Sequence, residues 1–287
     1  MTETSPAIPT TTFGEKGPRV TRVGLGGEGA LRTHGRTEAA VEVIRAALDA
    51  GIAYCDCARV YADSEKYYGA VYGAEPHRRD GVFQASKSAS RDRDGALRDL
   101  EETLSRMNTD RLDLWQIHDV RTEDDLQAIG GKGGALEAFE SAREDGRAKR
   151  IGVTGHHDPS ILTRAVREWP VDSVMLPVNP VETALGGFLD ETLPAARERG
   201  IAVIAMKILG ASHYVLLKYG VTAELLVRYA LSHPITVAIV GCSSPEEVGE
   251  LARAGQATSP LEEAERKKLE GLFQPYAERL AFYRGVI

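Results

Sequence analysis

The sequence predicts an α/β protein, a single-domain (β/α)₈ TIM barrel with a C-terminal helical tail. Three observations carry this expectation. Short apolar, β-rich runs alternate with amphipathic helical patterns along the whole chain. Eight such runs can be counted, the number that closes a barrel. Polar side chains suited to proton transfer stand at or just beyond the carboxyl ends of several runs, where barrel active sites collect. A length of 287 residues is usual for one barrel. The alternative, an open doubly wound sheet, has fewer units and a glycine fingerprint that leads directly into a helix.

Taken in order, residues 1–18 read as an N-terminal extension, whose polar, acidic start is unlike a secretory signal. The first strand is expected at 20–25, running into Gly24-Leu-Gly26-Gly27-Glu-Gly29. Thr33-His-Gly-Arg intervenes before any helix, so this is no phosphate fingerprint. The glycines are read as letting backbone pass close to a ligand at the barrel mouth. Further strands are expected at 52–55, 82–85, 112–117, 150–153, 174–176, 202–205 and 235–240. Helices are expected at 37–50, 91–107, 134–144, 159–168, 191–199, 222–232 and 245–253. Gly51, Gly146 and Gly200 follow three of these as C-terminal caps. The glycine cluster at 130–134 lacks the Lys-Ser/Thr ending of a P-loop. Residues 260–287 open with a charged helix and end aromatic, with Phe273, Tyr276, Phe282 and Tyr283. This tail is expected to pack across the barrel and reach its rim. No Pro, Gly or Ser linker divides the chain, so one domain over 1–287 is expected.

A hydrophobic content of 43% and a charged content of 27% provide an ample core. A net charge of −7 argues against nucleic acid as the main partner. No apolar stretch is long enough to span a bilayer, and a cytoplasmic location is expected. Three cysteines, Cys55, Cys57 and Cys242, make no disulfide framework and read as small buried residues. The pattern specifies no oligomeric state.

The chemistry concentrates at three strand ends. Asp56 follows the run 52–55, Lys87 ends the run that begins at Val82, and His118 closes the run that begins at Leu112. Alternation puts Tyr54 with Asp56 on one face, Phe83 and Ala85 with Lys87, and Leu112, Leu114 and Gln116 with His118. Adjacent strands lie roughly 4.8 Å apart, so three neighbouring ends form one small site, with Tyr61 above it on a loop. A nearby Lys⁺ lowers the pKa of a phenol from its usual value of about 10, making Tyr61 a usable general acid. His118 is placed to donate a hydrogen bond to a substrate oxygen. Any one of these groups alone would more often be structural, and Asp56 with Lys87 alone reads as an ion pair joining two strands. Together they suit protonation of a carbonyl oxygen while hydride reaches its carbon.

The block Asp56-x-Ala58-x-x-Tyr61-x-x-Ser64-Glu65, with Ala-Ser-Lys87 and Leu-Asp-Leu-Trp-Gln-Ile-His118, resembles the aldo-keto reductase family. The likeness runs over nearly the whole chain. It implies a barrel that binds NADPH or NADH along its mouth with no metal. It also implies that Tyr61 is the acid, that Lys87 and Asp56 tune it, and that His118 orients the carbonyl. Gly-Val-Thr154-Gly155-His156 and Ala-Met206-Lys207 resemble a bacterial branch. Thr154-Gly155 replaces the family's Ser-Asn at the nicotinamide amide. Met175 replaces a Gln, leaving Asn179 as the nearest polar candidate. Met206 replaces the stacking tyrosine, with Lys207 and Leu209 following. Lys207 is read on the inward face with Val203 and Ala205, meeting either the cofactor's pyrophosphate or a neighbouring acid.

Gly241, Ser243, Ser244, Glu247 and Glu250 fall where the family holds adenosine, at a turn into a helix whose first N–H groups suit an anion. Ser244 and Glu247 stand where relatives that grip the 2′-phosphate carry Arg or Lys. A carboxylate there repels phosphate by about 1 kcal/mol through water. NADH is then used comparably with NADPH, unless Glu247 faces solvent and a cation arrives from elsewhere. Glu28, His34, Val60, Asp119, His156 and His157 are the substrate-pocket candidates. Glu28, His34, Asp119 and His157 favour a hydroxylated, sugar-like substrate. The adjacent histidines are expected to project in different directions, and no spacing matches a zinc motif. The leading expectation is reversible NAD(P)H-dependent reduction of an aldehyde, ketone or sugar carbonyl to an alcohol. The alternatives are a nicotinamide-binding sensor or scaffold with little turnover, and a metal-dependent isomerase or aldolase on the same barrel.

Overall fold

Eight parallel strands close on themselves in the computed structural model, which describes residues 7–257 and 261–285. An antiparallel hairpin, β1 (Thr10–Thr12) and β2 (Arg19–Thr21), precedes them. The barrel strands are β3 (Val23–Gly29), β4 (Tyr54–Asp56), β5 (Phe83–Ser88), β6 (Leu114–Ile117), β7 (Ile151–Thr154), β8 (Ser173–Pro177), β9 (Ala202–Met206) and β10 (Val237–Cys242). They pair in chain order, and β10 closes the ring against β3. Among the described residues, no helix is long and apolar enough to cross a membrane.

The helices are α1 (Thr37–Asp49), α2 (Ser64–Ala74), α3 (Arg93–Arg106), α4 (Glu123–Gly130), α5 (Ala135–Glu144), α6 (Pro159–Glu168), α7 (Pro180–Leu185), α8 (Leu193–Glu198), α9 (Ala223–Leu231), α10 (Pro245–Gln256), α11 (Glu263–Phe273) and α12 (Ala277–Leu280). Three of them, α2, α4 and α7, were not expected from periodicity. The first buries Glu65 and Ser64 along with Tyr67, Tyr68, Val71 and Tyr72, so its inner face is not apolar throughout. The last is a six-residue turn started by the Asn179 side chain, too short to show a period.

Two apolar layers hold the barrel. The inner one stacks Tyr54, Phe83, Leu114, Met175, Ile204 and Ile239 inside the ring. The hairpin plugs its amino-terminal end: Phe13 lies 4.6 Å from the Phe83 ring, and Val20 joins the same cluster. The expected strand at 20–25 is therefore two strands. Arg22 separates them, its backbone N–H bonded to Pro9 and its side chain to the carbonyl of Leu231. The outer layer packs the opposite strand faces against the helices. Leu112, expected to face inward, precedes β6 and packs in this outer layer. Val203 and Ala205 also lie there, while Ala202 and Ile204 face inward, so the expected facing in β9 is reversed. The three cysteines are buried and unpaired.

One buried carboxylate helps to strap the C-terminal segment to the barrel. Glu182, fully buried in α7, accepts from the Tyr283 hydroxyl at 2.6 Å and forms an ion pair with Arg284. Removing one partner of such a pair strands the other charge away from water. Arg284→Ala is therefore expected to cost about 3 kcal/mol of stability, read as a lowered midpoint in urea unfolding. A loss within ~0.5 kcal/mol would show that the pair holds nothing.

Candidate active site

Strand register brings the expected groups together. Asp56 ends β4 beside Ala85, and Lys87 lies beside Gln116. The Lys87 ammonium, with no exposed surface, donates to the Asp56 carboxylate and, at 2.7 Å, to the carbonyl of Cys57. The Gln116 amide donates to the other Asp56 oxygen at 3.2 Å. The ammonium sits 4.9 Å from the centroid of the Tyr61 ring. The Tyr61 hydroxyl lies 3.4 Å from Nε2 of His118, with the two rings edge to face.

Tyr61 is placed by its loop and by a glycine. Its N–H bonds to Ala58, its carbonyl accepts from Ser64, and the N–H of Arg59 ties the loop to the carbonyl of Lys87. A Cβ on Gly27 would lie 2.6 Å from the ring, so a side chain there would displace it. At Gly29, φ is +69° and a Cβ would strike the Cys242 carbonyl at 2.4 Å. These glycines border the cleft. They also make room for Tyr61 and for β10, which the sequence reading did not foresee.

The electrostatics follow from burial. Burial works against the Lys87 cation, but Asp56 and Tyr61 outweigh it and hold the ammonium above its ordinary range. Burial raises the Asp56 carboxyl against the pull of Lys87 and Gln116. For Tyr61, burial raises the phenol more than Lys87 lowers it. The net direction is opposite to the sequence-based expectation, which weighed the cation and not the loss of water. Burial, then Lys87, lowers His118 to about 3, so its imidazole is neutral.

Sequence reasoning missed several supports. Gln116 was read on the right face without a role. Glu65 accepts from Ser86 at 2.8 Å and Thr103 at 2.7 Å, anchoring the start of α2, and with it the Tyr61 loop, to β5 and α3. Arg32 lies over the Tyr61 ring at 4.8 Å and pairs with Glu28 at 2.6 Å. Its loop carries no pattern that marks it.

A cleft of about 700 Å³ runs from Tyr61 and Asp56 past the end of β9 to β10 and α10. Met206, Lys207, Leu209, Gly241, Ser243, Glu247 and Glu250 line it, as does Glu28. Lys207 enters the lining although its predicted face was wrong, because its φ of +57° breaks the strand alternation. Its ammonium makes no ion pair among the described residues; burial lowers its pKa and Glu28 and Asp119 oppose that from a distance. Ser244 lies just outside the lining and caps α10 by accepting from Glu247 N–H at 3.4 Å.

Other expected contacts fall elsewhere. Asn179 is fully buried: its oxygen accepts from Val181 and Glu182, and its amide donates to the Lys207 carbonyl and the Tyr283 hydroxyl. It therefore has no group left for a cofactor. Thr154 accepts from the Asp119 N–H at 2.8 Å, and Gly155 is packed against Val120 and Leu162, both outside the cleft lining. His34 is exposed and faces Asp63 at 3.5 Å, and Val60 is half exposed. Asp119, His156 and His157 gather beside His118 and outside the cleft lining. The two histidines do not diverge; their rings stack with centroids 4.5 Å apart. Burial lowers His156 to about 4. Asp119 stays below the ordinary carboxylate range: burial raises it, but His156 and Arg121 outweigh that.

The profile of the aldo/keto reductase family matches residues 22–219, well over half of the chain. This chain belongs to that family. This aldo/keto reductase is 30% identical over 202 residues to D-threo-aldose 1-dehydrogenase of a Pseudomonas species, covering 58% of each chain. It spans between 44% and 62% of the length of the curated relatives it matches. The holo form of an aldo-keto reductase from Bacillus halodurans superposes with a TM-score of 0.77 at 20% identity, covering 92% of this chain and 96% of that one. A Klebsiella pneumoniae aldo/keto reductase in complex with NADP and acetate gives 0.72 at 26% identity, covering 92% and 95%.

The buried histidines of this aldo/keto reductase are expected to lower its stability in acid. His118 at about 3, and His156 and His233 at about 4, lie below the ordinary value of 6.5. Between those limits the unfolded chain binds protons that the folded chain refuses, so stability is full above pH 6.5 and falls as pH drops. Each residue is expected to cost up to about 2 kcal/mol by pH 5. Urea midpoints should decline from pH 7 to 5, and His233→Gln should flatten the decline. A midpoint constant over that range would refute the assignment.

Proposed function

We propose that this chain is an NAD(P)H-dependent reductase that converts an aldehyde, ketone or sugar carbonyl to the alcohol, with Tyr61 as proton donor. The observation that carries the reading is the convergence of the Tyr61 hydroxyl and His118 Nε2 over the Asp56–Lys87 pair, of which Tyr61 and Asp56 line one end of the cleft while His118 and Lys87 stand behind them. A carbonyl oxygen seated between them meets two donors. His118, being neutral, donates through Nε2–H and orients the oxygen without competing for its proton. Tyr61 gives up its proton, and the resulting phenolate is stabilised by the ammonium beside its ring. Asp56 keeps that ammonium charged, and Gln116 satisfies the second carboxylate oxygen.

The cleft fits a nicotinamide dinucleotide, which when bound supplies the hydride. Its volume is that of a cofactor site. Met206 and Leu209 give it an apolar lining, the unpaired Lys207 ammonium suits the pyrophosphate, and Gly241 and Ser243 lead to the amino end of α10. The polar groups near Tyr61, Glu28 and Arg32, favour a hydroxylated substrate. The name of the Pseudomonas relative, an aldose dehydrogenase, supports the same class.

Tyr61→Phe is expected to lower kcat by at least about a hundredfold while cofactor binding, followed by fluorescence, survives. Full activity in that variant would remove Tyr61 from the mechanism and favour a different acid.

Cofactor choice turns on the acidic start of α10. The Glu247 carboxylate accepts from the Ser243 N–H at 2.7 Å, taking an amide suited to an anion, and Glu246 and Glu250 lie close by. Arg32 and Lys207 are the cations of the cleft lining, and neither belongs to this helix. NADH is expected to support a kcat/KM within about tenfold of NADPH or better. Glu247→Gln should move the ratio toward NADPH. A thousandfold preference for NADPH in the unmodified protein would sink this reading.

A further inference from the structure

The two histidines and Asp119 beside the active site are arranged in a way hydrogen bonding alone leaves unexplained. His156 Nδ1 lies 2.6 Å from the carbonyl of Tyr283. A carbonyl can only accept, so Nδ1 carries a proton, and in the neutral ring Nε2 presents a lone pair. That lone pair faces Asp119 Oδ1, another acceptor, at 3.4 Å. Nε2 of His157 comes within 3.8 Å of the same oxygen. Both Asp119 Oδ1 and His157 Nε2 are buried without a hydrogen-bond partner. With both rings neutral and His157 protonated on Nδ1, three electron-pair donors converge, all within 4.8 Å of one another.

We propose that Asp119, His156 and His157 form a binding site for a divalent transition-metal ion of the zinc class. Imidazole nitrogen and carboxylate oxygen are the donors such an ion takes, at bonds of about 2.0–2.2 Å. Tetrahedral placement at those bond lengths separates ligand atoms by roughly 3.3–3.6 Å, and the observed 3.4 and 3.8 Å are close to it. The supporting contacts are those metal ligands use. The Tyr283 carbonyl fixes the His156 ring. Arg121 donates twice to Asp119 Oδ2, at 2.6 and 2.8 Å, leaving Oδ1 free. The backbone of Asp119 is held in the left-handed region, φ +58°, by the Thr154 hydroxyl and the Arg91 guanidinium. Three protein ligands leave a position open for water or an anion. The ion would join the loops after β6 and β7 and, through Tyr283, the C-terminal segment. This site is separate from the reductase reading: it requires no role for Tyr61.

The test uses full-length, tag-free protein dialysed against a chelator and then against buffer. Addition of CoCl₂ is expected to give visible ligand-field absorption that saturates at one equivalent per chain. ZnCl₂ should displace it, and thermal unfolding should move up on loading. His157→Gln and Asp119→Asn should each weaken uptake at least about tenfold with unchanged circular dichroism. His156 is left intact because its substitution would also detach Tyr283. If Asp119→Asn fails to fold, His157→Gln decides alone. Absence of saturable cobalt or zinc uptake in the unmodified protein would overturn the proposal. Equal uptake by the variants would overturn it too, since the metal would then bind elsewhere.

Discussion

The ion pair between Lys87 and Asp56 governs how the upper end of this barrel is built. Both groups are cut off from water, and two bare charges in that environment are tolerated only with further partners. Those partners, the Cys57 carbonyl and the Gln116 amide, come from the end of β4 and from β6. The pair therefore fixes the relative heights of three strands. It also places a positive charge 4.9 Å from the centroid of the Tyr61 ring. Tyr54, Phe83 and Leu114 fill the layer below.

Much of this was legible because it follows from alternation. Asp56, Lys87 and His118 were found by counting in twos to the end of three apolar runs. The barrel followed from the number and order of those runs. Alternation failed where the backbone departs from a strand. Lys207 has a left-handed backbone, so it reaches the cleft from a strand whose predicted face was reversed. Asn179 was chosen for being polar and near, but helix capping claims its oxygen and the C-terminal segment its amide. Contacts between distant segments leave no local period. The pairing of Arg284 with Glu182 and the anchoring of Glu65 by Ser86 and Thr103 are of that kind. The stacking of His156 on His157 is another case, since adjacent residues diverge only where the backbone is extended.

The site divides into parts of different character. At the Asp56–Lys87 end the charges are buried and each is held by more than one bond. The other end of the cleft rests on a helix start rich in glutamate, where the Glu247 side chain already serves one of the amides. Under the proposed function, changes at that end would alter which ligand is welcome without touching the strand ends assigned the chemistry. The cluster of Asp119 with the two histidines stands between His118 and the C-terminal segment, so it connects the strand ends to the part of the structure added last.

Closure of the ring by β10 against β3 has a consequence for how the protein comes into being. The partners are separated by about two hundred residues, with Ala238 beside Val23 and Val240 beside Leu25. During synthesis β3 emerges early, and one of its edges has no neighbour until β10 leaves the ribosome. For that interval an apolar strand is exposed on the nascent chain, and pairing over such a separation is slow. Vectorial production thus makes the first barrel strand the segment most in need of shielding by a chaperone.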